Sequence, residues 1–354
     1  MLIDGNKIFK TINGGDTWTS IDTLPYFLDV IKFVDPLNGW GTGDNIIAHT
    51  KDGGNSWTVQ YESIDSDGTF QQFRDVFFTD KNHGWVIGYA VVLITDDGGE
   101  TWLPIHLDIW APWSVFFLNL DIGWIVSFDG EIIKTLDGGQ TWSKKASITD
   151  AEFNDVVFTD QNNGCAVGTI WRSGWQTLIL HTTNGGETWD KLQLPGGQIL
   201  YSVSFVDSLN GWTSGSTGTI WHTSNGGEKW DLQKNPTSSY LFSVNFIDKN
   251  IGWAAGEKTI VKTINGGIDQ FNQIKTPIDE LVISVYPNPT SDLLHLKLFR
   301  NKVTIEIYDI SGNLLLKDNY KNDQTIDISH FSKGIYILRS SIDDRTIIEK
   351  IIKE

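Results

Sequence analysis

Short runs of alternating apolar and polar residues recur along the whole chain, each about the length of a β-strand and closed by glycine-rich turn residues. Phe73 to Phe78 is one such run; the next opens with Gly84-Trp85, and a third ends at Thr95. A turn of Asp97-Gly98-Gly99 then leads to Trp102, which begins a fourth run. Asn-Gly and Asp-Gly supply the positive φ angles of a tight hairpin, and the Asp or Asn side chain accepts backbone N–H bonds within it. The pattern predicts units of four short antiparallel strands.

The units repeat. An eight-residue string runs from Thr11 through Asn13 to Trp18, from Thr50 through Asp52 to Trp57, and from Thr95 through Asp97 to Trp102. It returns from Thr135 through Asp137 to Trp142, from Thr182 through Asn184 to Trp189, and from Thr223 through Asn225 to Trp230. A decayed seventh copy spans Thr263 to Gln270, and the period is 39 to 47 residues. A second signature, (Val/Ile)-x-Phe-x-(Asp/Asn)-x-x-x-Gly-(Trp/Cys), precedes six copies, as in Val76 to Trp85 and Val244 to Trp253. Cys165 takes the Trp slot of the fifth unit, which marks it as small core filler and not a nucleophile. Burying a Trp under each turn removes roughly 150–250 Å² from water, at most about 4–6 kcal/mol per copy.

A four-stranded unit of this period, repeated around an axis, is the signature of an all-β propeller. The eight-residue string resembles the Asp-box of sialidases and of the photosystem II stability-factor-like propellers, over residues 1–271. The resemblance implies fold and not activity, because in those families the box sits on blade hairpins away from the site. Seven blades are favoured and six are possible. The N-terminal copy shows only its outer two strands, Lys7 to Thr11 and Thr17 to Ile21, while Phe271 to Ile274 can supply a fourth strand for the last unit.

After a linker at residues 272–282 the spacing changes. Tyr286-Pro287-Asn288-Pro289 leads into alternating runs, a turn at Gly312, then Gly334-Ile-Tyr336 and a terminal Lys350-Ile-Ile-Lys353. Such close, short strands predict a small Ig-like β-sandwich over residues 283–354. These motifs, in this order, resemble the type A C-terminal sorting domain of the type IX secretion system. That resemblance implies a secreted or outer-membrane surface protein whose partner is the type IX machinery, acting through residues 283–354.

Charge changes the picture next. Lys and Arg number 27 against 44 Asp and Glu, a net charge of −17, which disfavours nucleic acid and anionic membrane surfaces as partners. No apolar run reaches the length of a transmembrane segment. With one cysteine no intrachain disulfide forms. The first residues carry no signal peptide, so the expectation is a chain truncated at its N-terminus.

Chemistry is sparse. Residues 1–271 hold two arginines, Arg74 and Arg172, too few for the three that a sialidase sets around a carboxylate. Acidic loop residues Glu62, Asp65, Asp67, Asp108 and Asp129 leave open a glycoside hydrolase with paired carboxylates. Asp65-Ser-Asp67-Gly68 has two spaced hard oxygens but not the remaining calcium ligands. His49, His181 and His222 share one repeat slot with Lys10, Lys134 and Lys262, in different blades, and do not converge on a metal. Asp75 and Asp155 share an inner-strand slot with Val30, Ser114, Ser202 and Ser243, open to a polar ring or a bound ion in the central channel. The expectation is no cofactor, no metal and no catalytic set.

Eleven of the 16 tryptophans fill the two repeat slots, and Trp221, inside a third strand, reads as core. Trp110, Trp113, Trp171 and Trp175 remain, in segments on the face opposite the box turns. They are either ligand-stacking rings or covers for gaps between blades. The expected function is a non-enzymatic binding or scaffold propeller for a glycan or an extracellular protein, with a secreted polysaccharide hydrolase as the alternative.

Overall fold

A computed structural model describes all residues except 1, 5, 6, 16, 22, 23, 25, 44, 64–71, 173, 258, 268–270, 275–282, 287, 288, 299–302, 322, 323, 343 and 344. The chain divides into two compact units, residues 1–274 and 275–354. Among the described residues both are built of antiparallel strands, with a single 3-10 turn at Ser216–Gly218.

The first unit holds seven sheets among the described residues, one of three strands and six of four. In each four-stranded sheet the strands pair in chain order, as in Phe73–Phe78, Gly84–Gly88, Val91–Thr95 and Leu103–His106. The innermost strands, Val30–Phe33, Phe73–Phe78, Pro112–Phe117, Ala151–Phe158, Leu200–Phe205 and Leu241–Phe246, touch one another in succession. The first sheet corrects one expectation: besides Lys7–Lys10 and Thr19–Ile21 it has a third strand, Leu2–Asp4. The last sheet carries its own fourth strand, Asn272–Ile274, paired with Thr259–Thr263, so residues read as the start of a linker belong to the sheet.

The box turn is held from inside. Thr50 Oγ1 donates to Asp52 Oδ1 at 2.8 Å and accepts from the Gly54 N–H at 2.8 Å. The other end closes with Ser56, whose N–H and Oγ–H donate to the two Asp52 oxygens at 2.9 and 2.7 Å. These bonds hold the Asp52 carboxyl at a pKa of about 2. Gly53 and Gly54 have φ of +70° and +83°, and a Cβ on Gly53 would meet the Pro36 carbonyl oxygen at 2.7 Å. Where Asn replaces Asp, as at Asn184, the carboxamide Oδ1 accepts from the Thr188 N–H and its Nδ2 donates to Thr188 Oγ1.

Of the two tryptophan slots, the Gly-Trp position is the deeper. Trp40, Trp85, Trp124 and Trp212 are fully buried, whereas the box tryptophans Trp18, Trp57, Trp102, Trp142 and Trp189 are half-buried and only Trp230 among them is buried. Each deep Trp stacks on the phenylalanine of the next inner strand, with centroids 3.5–3.6 Å apart for Trp40–Phe78, Trp85–Phe117, Trp124–Phe158 and Trp212–Phe246. Its indole N–H donates to the first glycine carbonyl of the next box: Trp40 to Gly98, Trp85 to Gly138, Trp124 to Gly185, Trp212 to Gly266. The row continues from the last sheet to the first, Trp253 to Gly14 at 3.3 Å. Lys10 Nζ bonds Gly53 O at 2.8 Å between the first sheet and the second. The repeated string therefore closes its own hairpin and receives its neighbour.

The second unit packs a sheet of Ile283–Tyr286, Leu293–Leu298 and Gln324–Asp327 with one of Leu314–Tyr320, Val303–Asp309, Gly334–Ile342 and Arg345–Lys353. Leu294, Leu296 and Ile326 from one sheet and Ile305, Ile307 and Leu338 from the other share one core. Buried Lys353 donates to Asp292 at 2.9 Å, and the Tyr336 hydroxyl donates to the Ser332 carbonyl at 2.6 Å. Gly312, at φ +86°, closes the Asp309 turn. Lys350 and Pro289 are exposed, and Pro287 and Asn288 lie outside the described residues.

Candidate functional site

The face opposite the box turns is made by the loops between second and third strands and by the connections from one sheet to the next. Backbone strain concentrates there. Among the described residues four non-glycines have positive φ, Ala90 (+55°), Ala111 (+45°), Asp150 (+66°) and Thr217 (+56°), and all four lie in those loops. Such conformations cost of order 1–3 kcal/mol each and persist where surrounding structure imposes them.

Two of them present an aromatic pair. Ala90 follows Tyr89 and its carbonyl accepts from Leu107 N–H at 2.8 Å; Ala111 follows Trp110 and its carbonyl accepts from Phe128 N–H at 3.0 Å. The result sets Trp110, 68% exposed, edge-to-face against Tyr89 at 5.1 Å. Asp150 does the same for the long hairpin between Gly164–Ile170 and Gln176–Thr182. Its carbonyl accepts from Trp171 N–H at 3.1 Å and its carboxylate pairs with Arg172 at 3.1 Å. Trp171 and Trp175 flank the last ladder pair, Ile170 and Gln176, one on each arm of that hairpin, and both are exposed.

Trp113 belongs to a different arrangement. Five inner strands shift register at an equivalent place, between Phe73 and Asp75, Pro112 and Ser114, Phe153 and Asp155, Leu200 and Ser202, and Leu241 and Ser243. A bulge frees one residue from the ladder and re-aims its side chain. The freed residues are Arg74, Trp113, Asn154, Tyr201 and Phe242, at equivalent places in successive sheets. Arg74 lies over the Trp113 ring at 4.8 Å, Phe128 tilts against Trp113 at 5.4 Å, and Tyr201 meets Phe242 edge-on at 5.2 Å. Tyr240 joins the last pair. The sequence reading singled out Trp113 but missed Arg74, Tyr201 and Phe242, whose signal was the shared slot. Among the described residues no ring contact joins the Trp110, Trp113 and Trp171 groups.

Other candidates resolve into architecture. Asp75 is buried and Asp155 half-buried between inner strands, and Ser114 Oγ lies within hydrogen-bond distance of both. Asp75 accepts from Ser114 Oγ–H and Val115 N–H at 3.0 Å each, and Asp155 accepts from Val203 N–H at 2.8 Å, with Ser114 Oγ 3.0 Å away. Burial pushes both carboxyls up. His49 and His222 stack on Trp40 and Trp212 at 4.3 and 4.6 Å, and burial pushes their pKa down. Cys165 and Trp221 are buried core, and burial pushes the thiol far up. Asp65, Asp67 and Gly68 lie outside the described residues. Asp129 accepts from Ser127 Oγ at 2.7 Å within its own turn. No group of three metal-ligating side chains occurs among the described residues.

The decisive comparison covers most of the first unit. Residues 15–114, 110–198 and 188–278 match the family described as photosynthesis system II assembly factor YCF48. The chain belongs to the YCF48 family. Residues 284–354 match the secretion system C-terminal sorting domain, so this YCF48-family chain is a secreted or outer-membrane surface protein handled by the type IX system. Among the described residues no helix is long and apolar enough to cross a membrane. A curated relative, the chloroplastic photosystem II stability/assembly factor HCF136 of Arabidopsis thaliana, is 28% identical over 86 residues, 23% of this chain and 21% of that protein. The chain thus matches about a fifth of that relative's length. Among solved structures, YCF48 bound to D1 peptide is similar over 83% of this chain and 93% of that one, at TM-score 0.58 and 21% identity. YCF48 from Cyanidioschyzon merolae covers 75% and 90%, at 0.54 and 20%. The GH74 enzyme of Niastella koreensis shares the fold over 76% of this chain and 50% of its own, at 0.58 and 11%.

Proposed function

We propose that this chain is an exported, non-enzymatic binding protein that holds an extended polypeptide across the bulged aromatic slot of its inner strands. The observation that carries the reading is the Arg74–Trp113 stack and the Tyr201–Phe242 pair, two aromatic steps at one repeat position on the face where the backbone strain collects. Aromatic rings and an arginine are the side chains that dominate protein-binding hot spots. A structural relative, YCF48, has been solved bound to D1 peptide, which supports a peptide ligand here. The test is a peptide-array screen of the secreted protein, followed by titration of hits against Trp113→Ala and Tyr201→Ala. A tenfold or larger loss of affinity in both supports the slot; hits that bind both variants like wild type remove it.

A second reading is favoured by the exposure of Trp110, Trp171 and Trp175, whose flat faces suit sugar rings. The GH74 fold neighbours include a xyloglucanase, which extends this reading to a polysaccharide hydrolase. A glycan array with Trp110→Ala and Trp171→Ala, and a reducing-sugar assay on xyloglucan, separates the alternatives.

A further inference from the structure

Three inner strands meet on one hydroxyl. Asp75, Ser114 and Asp155 hold the same slot of Phe73–Phe78, Pro112–Phe117 and Ala151–Phe158, each just past the register shift of its strand. Ser114 Oγ lies 3.0 Å from Asp75 Oδ2 and 3.0 Å from Asp155 Oδ1. Backbone amides take up the rest of each carboxyl. Asp75 accepts from Val76 N–H at 2.9 Å and from Val115 N–H, in the next inner strand, at 3.0 Å. Asp155 accepts from Val156 N–H at 2.9 Å and from Val203 N–H, again in the next inner strand, at 2.8 Å. The contacts thus run unbroken through four inner strands, from Phe73–Phe78 to Leu200–Phe205.

The hydrogens do not suffice for two ionised carboxylates. A serine hydroxyl carries one hydrogen and donates it to one acceptor at a time. With both carboxyls ionised, Ser114 would donate to one and face the other oxygen to oxygen at 3.0 Å, with no hydrogen between them. One added proton removes the conflict: an un-ionised carboxyl donates to Ser114 Oγ, which donates onward to the remaining carboxylate. The charges balance in the same state. Lys32, from Val30–Phe33, is the cation that bears on both carboxyls, and one lysine offsets one carboxylate. Arg74, next to Asp75, is engaged over the Trp113 ring, and Cys165, which feels the Asp155 charge, is held as the neutral thiol. Burial is the first influence on both carboxyls and favours the un-ionised form.

We propose that Asp75, Ser114 and Asp155 form a proton-binding site that at neutral pH holds one proton beyond the serine's own, shared by the two carboxyls and tying successive inner strands together. The proton belongs to the pair and to neither aspartate alone. Unfolded aspartates, near a pKa of about 3.9, hold none at neutral pH, so folding takes up a proton and stability declines as pH rises through the folded value. Arg74, Trp113 and Asn154 of the aromatic slot each precede one of the three residues, yet the site does not depend on what that slot binds.

Infrared spectra of the full chain at about pH 7, where exposed carboxyls are ionised, should show the carbonyl stretch of one un-ionised aspartic acid. Isotope-labelled aspartate should shift that band, which separates it from Glu152, whose carboxyl burial also pushes up. Asp75→Asn and Asp155→Asn each put a carboxamide N–H where the added proton would sit, so both should lack the band. All 16 tryptophans lie within residues 1–274, so their fluorescence in urea follows the unfolding of that unit. Between about pH 6 and about pH 7 the unfolding constant of the wild type, divided by that of either variant, should rise about tenfold, one proton's worth. Histidines titrate alike in all three chains and cancel in that ratio. Absence of the band, or a ratio constant with pH, overturns the proposal. So does a band that sodium, potassium or calcium abolishes at fixed pH, which would put a metal cation where the proton is assigned. The wild-type band is read without any substitution, so the test stands even where a variant fails to fold.

Discussion

At the scale of single residues, the box carboxylates and the buried pair titrate in opposite senses. Asp52 has a folded pKa of about 2, below the roughly 3.9 of an unfolded aspartate, and Asp97 and Asp137 are lowered by the same turn bonds. Their contribution is present above about pH 4 and lost as pH falls toward about 2. Thermal scans from pH 5 to pH 2 should show a falling Tm. Asp52→Asn should leave the neutral Tm nearly unchanged, since Asn184 closes the same turn, and should flatten that acid slope. Asp75 and Asp155 are raised by burial, so their contribution is fullest below about pH 4 and declines as pH rises through their folded values. Ser114→Ala removes a bond from the first and a close polar neighbour from the second, and should cost about 1–3 kcal/mol in urea unfolding at pH 7. The Cys165 thiol should stay inert to aromatic disulfide reagents until the protein is denatured.

At the scale of elements, the two tryptophan slots carry different loads. Trp124→Ala empties a site bounded by Phe158, Lys134 and the Gly185 carbonyl, and should cost about 3–5 kcal/mol by denaturant titration. Trp110→Ala touches an exposed ring and should change stability by no more than about 0.5 kcal/mol. The strands and box turns were legible in the sequence because both depend on local rules: period-two alternation, and paired glycines with an Asx residue. The bulges were not legible. Arg74 and Tyr201 look like ordinary strand residues until the register shift beside them re-aims their side chains, and a shift is a property of two paired strands. The His and Lys slot was seen as a repeat position, but its role required the tryptophan stacked beside it.

At the scale of the whole molecule, most neighbouring sheets of residues 1–274 are joined by one kind of contact, an indole or lysine N–H on the first box glycine of the next sheet, and the last joins the first through Trp253 and Lys262 on Gly14. Among the described residues the first sheet joins this succession with three strands.

The fifth unit breaks the uniformity. With Cys165 in place of tryptophan, no indole reaches the Gly226 carbonyl among the described residues, and Phe205 packs on the cluster of Cys165 and Val167 with the edge of Trp230 as its described ring contact. The joins after Trp40, Trp85, Trp124 and Trp212 share interchangeable parts, so a unit could be excised or duplicated there and the cut ends would still match. The join after Cys165 is a place where the order of units is written into the chain, and under mechanical load it should part before the joins that an indole closes.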